Sequence, residues 1–198
     1  MAPLSSTLPQ ATRNGVRGRI QYWAACLFVA GWAGVLCGGL YFQYTRAQYP
    51  CPLCVVQRMF MALACIGASH IVRQGLNGAI ARRDYMMGWG LALVACAGGS
   101  FAAWRQTLQQ LPPGAAGPEA ALWDMHLYAW AWVLFQVSIA AIGALLVFAH
   151  ATTDRRIPEY GAYQTVGRFV LWFLGIVIAL SVVAALLKNG LPAFASAR

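Results

Sequence analysis

The chain has 198 residues, of which 60% are hydrophobic and 10% are charged. Soluble proteins carry about 25% charged residues, so this composition argues against a water-soluble fold. Fourteen Lys and Arg against five Asp and Glu give a net charge of +9, which in a soluble chain would suggest an acidic partner such as nucleic acid. The positions of the positive residues decide between these interpretations.

Stretches without charged residues predict membrane-spanning helices, because about 20 apolar residues are needed to cross the hydrocarbon core. Four stretches reach or closely approach this length, and together they predict an all-α integral membrane protein embedded in a lipid bilayer. The four stretches are 20–45, 85–104, 125–153 and 169–187.

A further span is predicted between the first two of these stretches, although its uncharged part is short. Met59–Val72 contains only 14 residues. It reaches spanning length only when residues 54–58 are added, and these include Arg58. An arginine at membrane depth costs about 2.5 to 3.5 kcal/mol on insertion scales, so it normally marks a functional position or a partner.

The positive residues predict the orientation of the five spans, since Lys and Arg are enriched in short cytoplasmic loops. Nine of the fourteen lie before span one, between spans two and three, or between spans four and five. The net charge therefore indicates orientation, and no nucleic-acid partner is expected. The predicted parts are a cytoplasmic basic amino terminus (1–19), a transmembrane bundle (20–153) with an outer loop near 46–54, a cytoplasmic loop (154–168), and a fifth helix with an outer tail (169–198).

The outer loop contains the segment with the clearest chemistry. Residues 48–58 read QYPCPLCVVQR, in which Cys51 and Cys54 are spaced to close a small disulfide. The outer side of a bacterial inner membrane is a compartment where disulfides form and persist. Pro50 and Pro52 disfavour helix before the second cysteine, so the second helix is expected to begin close to it.

Two features favour a reactive thiolate at Cys54. A helix N-terminus and a neighbouring cation both stabilise the thiolate, which is the species that attacks disulfides. Arg58 lies four residues further on, hence one helical turn away on the same face. Three alternatives for the pair are zinc binding, haem attachment and a purely structural disulfide. No second pair supplies zinc ligands, Val55 replaces the histidine of a haem motif, and so small a loop stabilises little, so redox chemistry is favoured.

The remaining cysteines and histidines have simpler interpretations. Cysteines within apolar spans behave as small apolar residues and are expected to pack in the core. His70 and His150 fall near the cytoplasmic ends of spans, where interfacial solvation accounts for them. Glu119, Asp124 and His126 are expected at the outer start of span four, either as solvated residues or as proton carriers near the redox pair. The core cysteines are Cys26, Cys37, Cys65 and Cys96.

The CPLC-x-x-Q-R string at the head of a second span resembles the bacterial disulfide bond formation protein B family, DsbB. The resemblance extends over residues 13–150 and implies a four-helix bundle. It further implies that Cys51 and Cys54 are the catalytic pair and that Arg58 and Gln57 contact the cofactor. No metal site is expected, because no second cysteine pair and no suitably spaced histidine supply further ligands. The implied cofactor is a quinone, ubiquinone or menaquinone, and the implied partner is a periplasmic thioredoxin-like oxidase.

Two departures accompany the resemblance. Typical members hold a second cysteine pair between spans three and four, whereas residues 105–124 contain no cysteine. The fifth span also exceeds the four-helix plan. We therefore expect an inner-membrane thiol:quinone oxidoreductase that reoxidises its partner through Cys51 and Cys54. The alternatives are a quinone-independent thiol carrier and a redox-sensing or interaction protein that uses the same cysteines.

Overall fold

The computed structural model describes residues 8–45, 52–78, 80–109, 121–122, 125–150 and 161–189. These described residues include five long helices, each of which contains a segment long and apolar enough to cross a membrane. The predicted all-α membrane bundle with a fifth helix is thereby confirmed. Its elements are α1 (Leu8–Thr45), α2 (Pro52–Leu76), α3 (Arg82–Gln109), β1 (Ala121–Leu122), β2 (Met125–His126), α4 (Leu127–His150) and α5 (Gly161–Asn189).

The two strands form one short antiparallel ladder directly before α4. Ala121 is paired with His126, and Leu122 is paired with Met125. Apart from this ladder, the regular structure of the described residues is helical. The helices therefore supply the framework that positions side chains at either end of the bundle.

Short local signals set the turn between α2 and α3. Gly78 adopts a positive φ of 72°, a left-handed conformation that only glycine adopts readily. The backbone N–H of Asn77 donates to the carbonyl of Arg73 at 3.1 Å and so closes the last turn of α2. At the start of α3, Oδ2 of Asp84 accepts a hydrogen bond from the N–H of Ala81 at 2.8 Å. The backbone N–H of Asp84 donates in return to the carbonyl of Ala81 at 2.9 Å, and this pair of bonds fixes where α3 begins.

The interface between α2 and α3 is the most extensive in the fold, and small residues make it close. A Cβ atom on Gly67 would lie 2.7 Å from the backbone nitrogen of Ala92 and 2.9 Å from the carbonyl oxygen of Gly88. Real side chains do not tolerate such distances to backbone, so glycine is required at this crossing. Close backbone approach through small residues is a common way to associate helices in lipid, where no hydrophobic driving force operates between them.

Polar contacts show how the first four helices run relative to one another. The beginning of α2 meets the end of α3 through Gln57 and Gln106, whereas the His70 end of α2 meets Asp84 at the beginning of α3. The two helices are therefore antiparallel. Gln21 of α1 accepts a hydrogen bond from Nε1 of Trp89 at 2.6 Å and donates to the carbonyl of Leu145 at 2.8 Å, which joins α1, α3 and α4.

Helix α5 packs beside the bundle against α1 and α2. The Tyr22 hydroxyl donates to the carbonyl oxygen of Tyr163 at 2.8 Å, and the rings of Trp23 and Tyr163 lie 5.4 Å apart. A Cβ atom on Gly167 would meet the Tyr22 hydroxyl, so this glycine lets α5 approach α1 closely. The contacts join the beginning of α5 to the first half of α1, and hence to the bundle end opposite Cys54.

The predicted packing role of the cysteines within the spans is confirmed by their burial. Cys26, Cys65 and Cys96 are buried in the hydrophobic core, and Cys37 is partly buried against it. These residues lie among large aromatic side chains such as Trp89 and among many alanines. They contribute to the core as small apolar residues.

Candidate functional site

Three of the four residues singled out from the sequence lie in the first two turns of α2. Cys54 is the third residue of the helix, and Gln57 and Arg58 follow one turn later. Cys51 lies outside the described residues, so its position relative to Cys54 remains a prediction. The site can therefore be built from Cys54 outward.

Cys54 lies at the N-terminal end of α2 and is partly buried. The helix begins at Pro52, two residues before the position expected from the sequence. Proline is well tolerated at the first helical position, because that residue needs no backbone N–H for the helix ladder. The first backbone N–H groups of a helix lack intrahelical acceptors and carry partial positive charge, which favours an anion such as a thiolate.

Arg58 is partly buried and reaches across to α1 rather than only toward solvent. Its Nη2 atom donates a hydrogen bond to the carbonyl oxygen of Gly39 at 3.1 Å. A Cβ atom on Gly39 would lie 3.6 Å from both Nε and Nη2 of Arg58, which is ordinary contact. The guanidinium therefore lies directly against the α1 backbone, and its charge acts on Cys54 one turn away.

Gln57 is buried and pairs with a residue that the sequence analysis did not select. Its Nε2 atom donates to Oε1 of Gln106, near the end of α3, at 2.8 Å. Nε2 of Gln106 in turn lies 3.3 Å from Sγ of Cys54. Gln57 is 4% exposed and Gln106 is 1% exposed, so both amides are buried inside the bundle. Two helices thus bring a polar cluster to the cysteine.

Gln106 was missed because the third span was expected to end at Trp104, before Arg105. The structure continues α3 to Gln109, which turns Gln106 into the core instead of leaving it in a loop. Three glutamines lie between residues 106 and 110, and the sequence does not distinguish the buried one. Gln106 could have been found only by continuing the helical periodicity of α3 past Arg105.

The other polar residues considered from the sequence do not join this cluster. His70 lies toward the opposite end of α2, where its Nε2 atom is 3.8 Å from Oδ1 of Asp84. The positions of Glu119 and Asp124, and the side chains of His126 and His150, lie outside the described part of the structure. Within the described part, no group of three or more His, Cys, Asp or Glu residues could hold a metal ion.

The fold and this cluster define a class of protein: a multi-pass helical membrane protein with a cysteine, an arginine and two buried glutamines at one bundle end. The family model described as "Disulfide bond formation protein DsbB" matches residues 21–139 of this chain. The chain belongs to this family, as its resemblance indicated. The match ends within α4, so α5 lies beyond it.

Curated relatives carry the same family description. The chain is 36% identical over 93 residues to disulfide bond formation protein B of Burkholderia ambifaria, covering 44% of this chain and 50% of that protein. It is 43% identical over 81 residues to the protein of that name from Azoarcus sp., covering 41% and 46% respectively. The corresponding protein of Neisseria gonorrhoeae is 32% identical over 100 residues, covering 47% and 56%.

The chain thus spans about half the length of the curated relatives that it matches. No solved structure matches this chain significantly. The similarity supports membership of the family, while the activity of the whole protein is inferred from the site.

Proposed function

We propose that this chain is an inner-membrane thiol:quinone oxidoreductase that reoxidises a periplasmic thioredoxin-like dithiol protein. The single observation that carries the proposal is the position of Cys54 at a helix N-terminus, beside Arg58 and within hydrogen-bonding distance of Gln106. A cationic, partly buried environment of this kind favours a reactive thiolate. Family membership supplies the reaction class.

In the proposed reaction, Cys51 and Cys54 form a redox disulfide. A thiolate of the partner attacks Sγ of Cys51, which forms a mixed disulfide and releases Cys54 as a thiolate. The second thiolate of the partner then attacks the partner sulfur of that bond, so the partner leaves oxidised and the Cys51–Cys54 dithiol remains. Because residues 105–124 contain no cysteine, the partner is proposed to react with Cys51 directly.

Reoxidation of the dithiol requires an acceptor of two electrons and two protons. A bound quinone would accept both. The residues around Cys54 fit such a group chemically: Arg58 and the two glutamines concentrate N–H donors near the sulfur, and quinone oxygens are hydrogen-bond acceptors. Arg58 stabilises the Cys54 thiolate while the dithiol is deprotonated. The side-chain amides of Gln57 and Gln106 lie beside Cys54 and provide further hydrogen-bonding groups there.

The proposed orientation puts the Cys54 end of the bundle on the outer side of the inner membrane and the amino terminus in the cytoplasm. The charges support it, because Arg73, Arg82 and Arg83 gather at the opposite end of α2 and α3. In this orientation α5 runs outward, parallel to α1. The predicted outer loop, which contains Cys51 and precedes the start of α2 at Pro52, is then proposed to reach the periplasm.

Purified protein tests the proposal when it is mixed with a short-chain ubiquinone and a reduced thioredoxin-like dithiol protein. We expect one quinone to be reduced for every two thiols oxidised. Cys51→Ser and Cys54→Ser should each abolish this turnover, whereas Cys37→Ala, in α1, should preserve it. Undiminished turnover in either serine variant would refute the proposed function. Partner oxidation without quinone consumption would instead favour a quinone-independent thiol carrier.

A further inference from the structure

Gln106 lies between two residues of α2 and contacts both through one amide group. Its Oε1 atom accepts the hydrogen bond from Nε2 of Gln57 at 2.8 Å. Its Nε2 atom donates to Sγ of Cys54 at 3.3 Å, and the thiol of Cys54, when protonated, donates to Oε1 at 3.7 Å. The oxygen is thus held by Gln57, and the nitrogen is the closer of the two amide atoms to the sulfur.

The bond from Gln57 determines which end of the Gln106 amide faces Cys54. An amide has two donor hydrogens on nitrogen and an acceptor oxygen on the other arm, so fixing the oxygen toward one residue turns the N–H groups toward the other. Both glutamines are almost fully buried, at 4% and 1% exposure, so water does not compete for these groups. Gln57 therefore orients a donor that it does not itself supply.

A donor aimed at sulfur favours the thiolate over the thiol. Hydrogen bonds to an ionised acceptor are roughly twice as strong as those between neutral groups. They are also stronger in the low-dielectric interior than in water. We propose that Gln57 and Gln106 form a positioning pair that holds an N–H donor against Cys54 and so increases the fraction of Cys54 present as thiolate.

This inference deepens the proposed function and rests on it only in treating Cys54 as the redox cysteine. Other charged or titratable groups are present at the same end of the bundle. Arg58 of α2 lies one helical turn from Cys54. Arg105 adjoins Gln106 on α3 but is exposed, and Tyr41 and Tyr44 near the end of α1 are also exposed. The test must therefore reverse the amide without removing Arg58.

Gln57→Glu provides that reversal. A carboxylate at position 57 accepts hydrogen bonds but donates none, so Nε2 of Gln106 turns toward it and Oε1 turns toward Cys54. The hydrogen bond between α2 and α3 is kept while the donor to sulfur is lost. Gln106→Glu removes the donor to Cys54 directly, because an ionised carboxylate accepts the hydrogen bond from Gln57 but has no N–H group to donate to the sulfur. Gln109→Glu controls for charge added at the surface, because it places the same carboxylate at an exposed position three residues further along α3.

The measurement is the rate of Cys54 alkylation by iodoacetamide in the full-length Cys51→Ser protein, resolved by mass spectrometry of the Cys54 peptide across a pH series. We expect the rate at pH 7 to fall about tenfold in Gln57→Glu and in Gln106→Glu, with the pH profile displaced to more alkaline values. Gln109→Glu should stay within about twofold of the parent. Gln106→Leu, which lacks both amide functions, should also be slowed.

Two outcomes would overturn the inference. A purely structural role predicts that alkylation slows only in those variants whose thermal unfolding midpoint also falls. A Coulombic effect of the added carboxylates alone predicts that Gln106→Leu, which adds no charge, is alkylated like the parent while both glutamate variants are slowed. Thermal unfolding of each variant in detergent shows whether the bundle is intact. If one of the two glutamate variants does not fold, the other still tests the inference. The assay needs neither quinone nor partner protein, so its result is separate from that of the quinone-reduction experiment.

Discussion

Arg58 on α2 donates a hydrogen bond from Nη2 to the backbone carbonyl of Gly39 on α1 at 3.1 Å. The contact holds a charged side chain against a neighbouring helix, one turn from the cysteine on which its charge acts. Arg58 thus has two consequences at once: it positions α1 relative to α2, and it places positive charge near sulfur. Substitutions that separate the two consequences are the most informative.

Arg58→Ala should lower quinone-dependent turnover by at least about tenfold, because it removes the cation that stabilises the Cys54 thiolate. Arg58→Lys should restore part of this loss, since lysine keeps the charge but lacks the planar fork of donors. Quinone reduction measured against quinone concentration gives both kcat and KM. Arg73→Ala, at the exposed far end of the same helix, is the matched control and should leave both unchanged. Equal turnover in Arg58→Ala and Arg73→Ala would remove Arg58 from the mechanism.

Gly39→Leu should impair turnover through Arg58 without changing any charge. The first side-chain carbon at position 39 meets Nε and Nη2 of Arg58 at 3.6 Å, so alanine fits there, but the longer leucine must push the guanidinium aside. We expect Gly39→Ala to remain close to wild type and Gly39→Leu to lose about tenfold in kcat/KM for quinone. At the adjacent Gly38 a Cβ atom meets nothing within 4 Å. Gly38→Leu should therefore be nearly silent, and a similar loss there would indicate a nonspecific effect on α1.

The reactive end of α2 was predictable because its chemistry is local in sequence. Cys54 and Arg58 are four residues apart, and a helical turn brings them together whatever the rest of the fold does. Four of the five spans were predictable for a related reason, since their uncharged stretches are about long enough to cross a bilayer, whereas the second span required Arg58 to be included. The positions of Cys51 and of the acidic residues before α4 stay predictions.

Contacts between helices were much less predictable. Gln106 meets Gln57 only because α3 continues past Arg105, and a charged residue had suggested the end of the span. Gln21 looked like one more uncharged residue at the start of a long apolar stretch, yet it joins three helices. Which face of a helix turns inward depends on partners distant in the chain, and a nearly uniform apolar sequence carries little periodic signal for it.

Gly67→Ala should destabilise the bundle, because the new methyl group would lie 2.7 Å from a backbone nitrogen of α3. Backbone cannot rotate away as a side chain can, so α2 and α3 must separate slightly. Overpacking of this kind costs about 1 to 3 kcal/mol, partly offset by the better helix propensity of alanine. Thermal unfolding in detergent should show a lower midpoint. Gly90→Ala on α3, where a Cβ atom meets nothing within 4 Å, should leave the midpoint unchanged or raise it slightly.

Gly167→Leu should displace α5 while leaving the cysteine chemistry intact. A side chain at this position meets the Tyr22 hydroxyl, whose hydrogen bond to Tyr163 holds α5 on α1. These contacts lie at the bundle end opposite Cys54, so quinone-linked turnover should stay within about twofold of wild type. Limited proteolysis of the connection before α5 should become faster. Gly175→Leu, at an open position on the same helix, should change neither the proteolysis nor the turnover. Lost turnover in Gly167→Leu alone would assign α5 a part in the reaction.

Gln21→Leu should destabilise the bundle, because it removes the acceptor from the buried Trp89 N–H and the donor to the Leu145 carbonyl. An unpaired buried polar group costs about 1 to 3 kcal/mol in general, but hydrogen bonds between membrane helices average about 0.6 kcal/mol, so we expect a loss of about 1 to 2 kcal/mol. Unfolding in detergent measures it. Gln136→Leu on α4 removes an exposed glutamine and should be neutral or stabilising.

A double-mutant cycle isolates the bond between Gln21 and Trp89 from the other effects of each substitution. Trp89→Phe removes the indole N–H and leaves Oε1 of Gln21 without that donor. If the bond links α1 to α3 as its 2.6 Å length indicates, the double variant should be more stable than the sum of the two single losses predicts, by about 0.6 kcal/mol or more. Strict additivity would mean that Gln21 stabilises the bundle only through Leu145, and hence that α1 is held by α4 rather than by α3 at this depth.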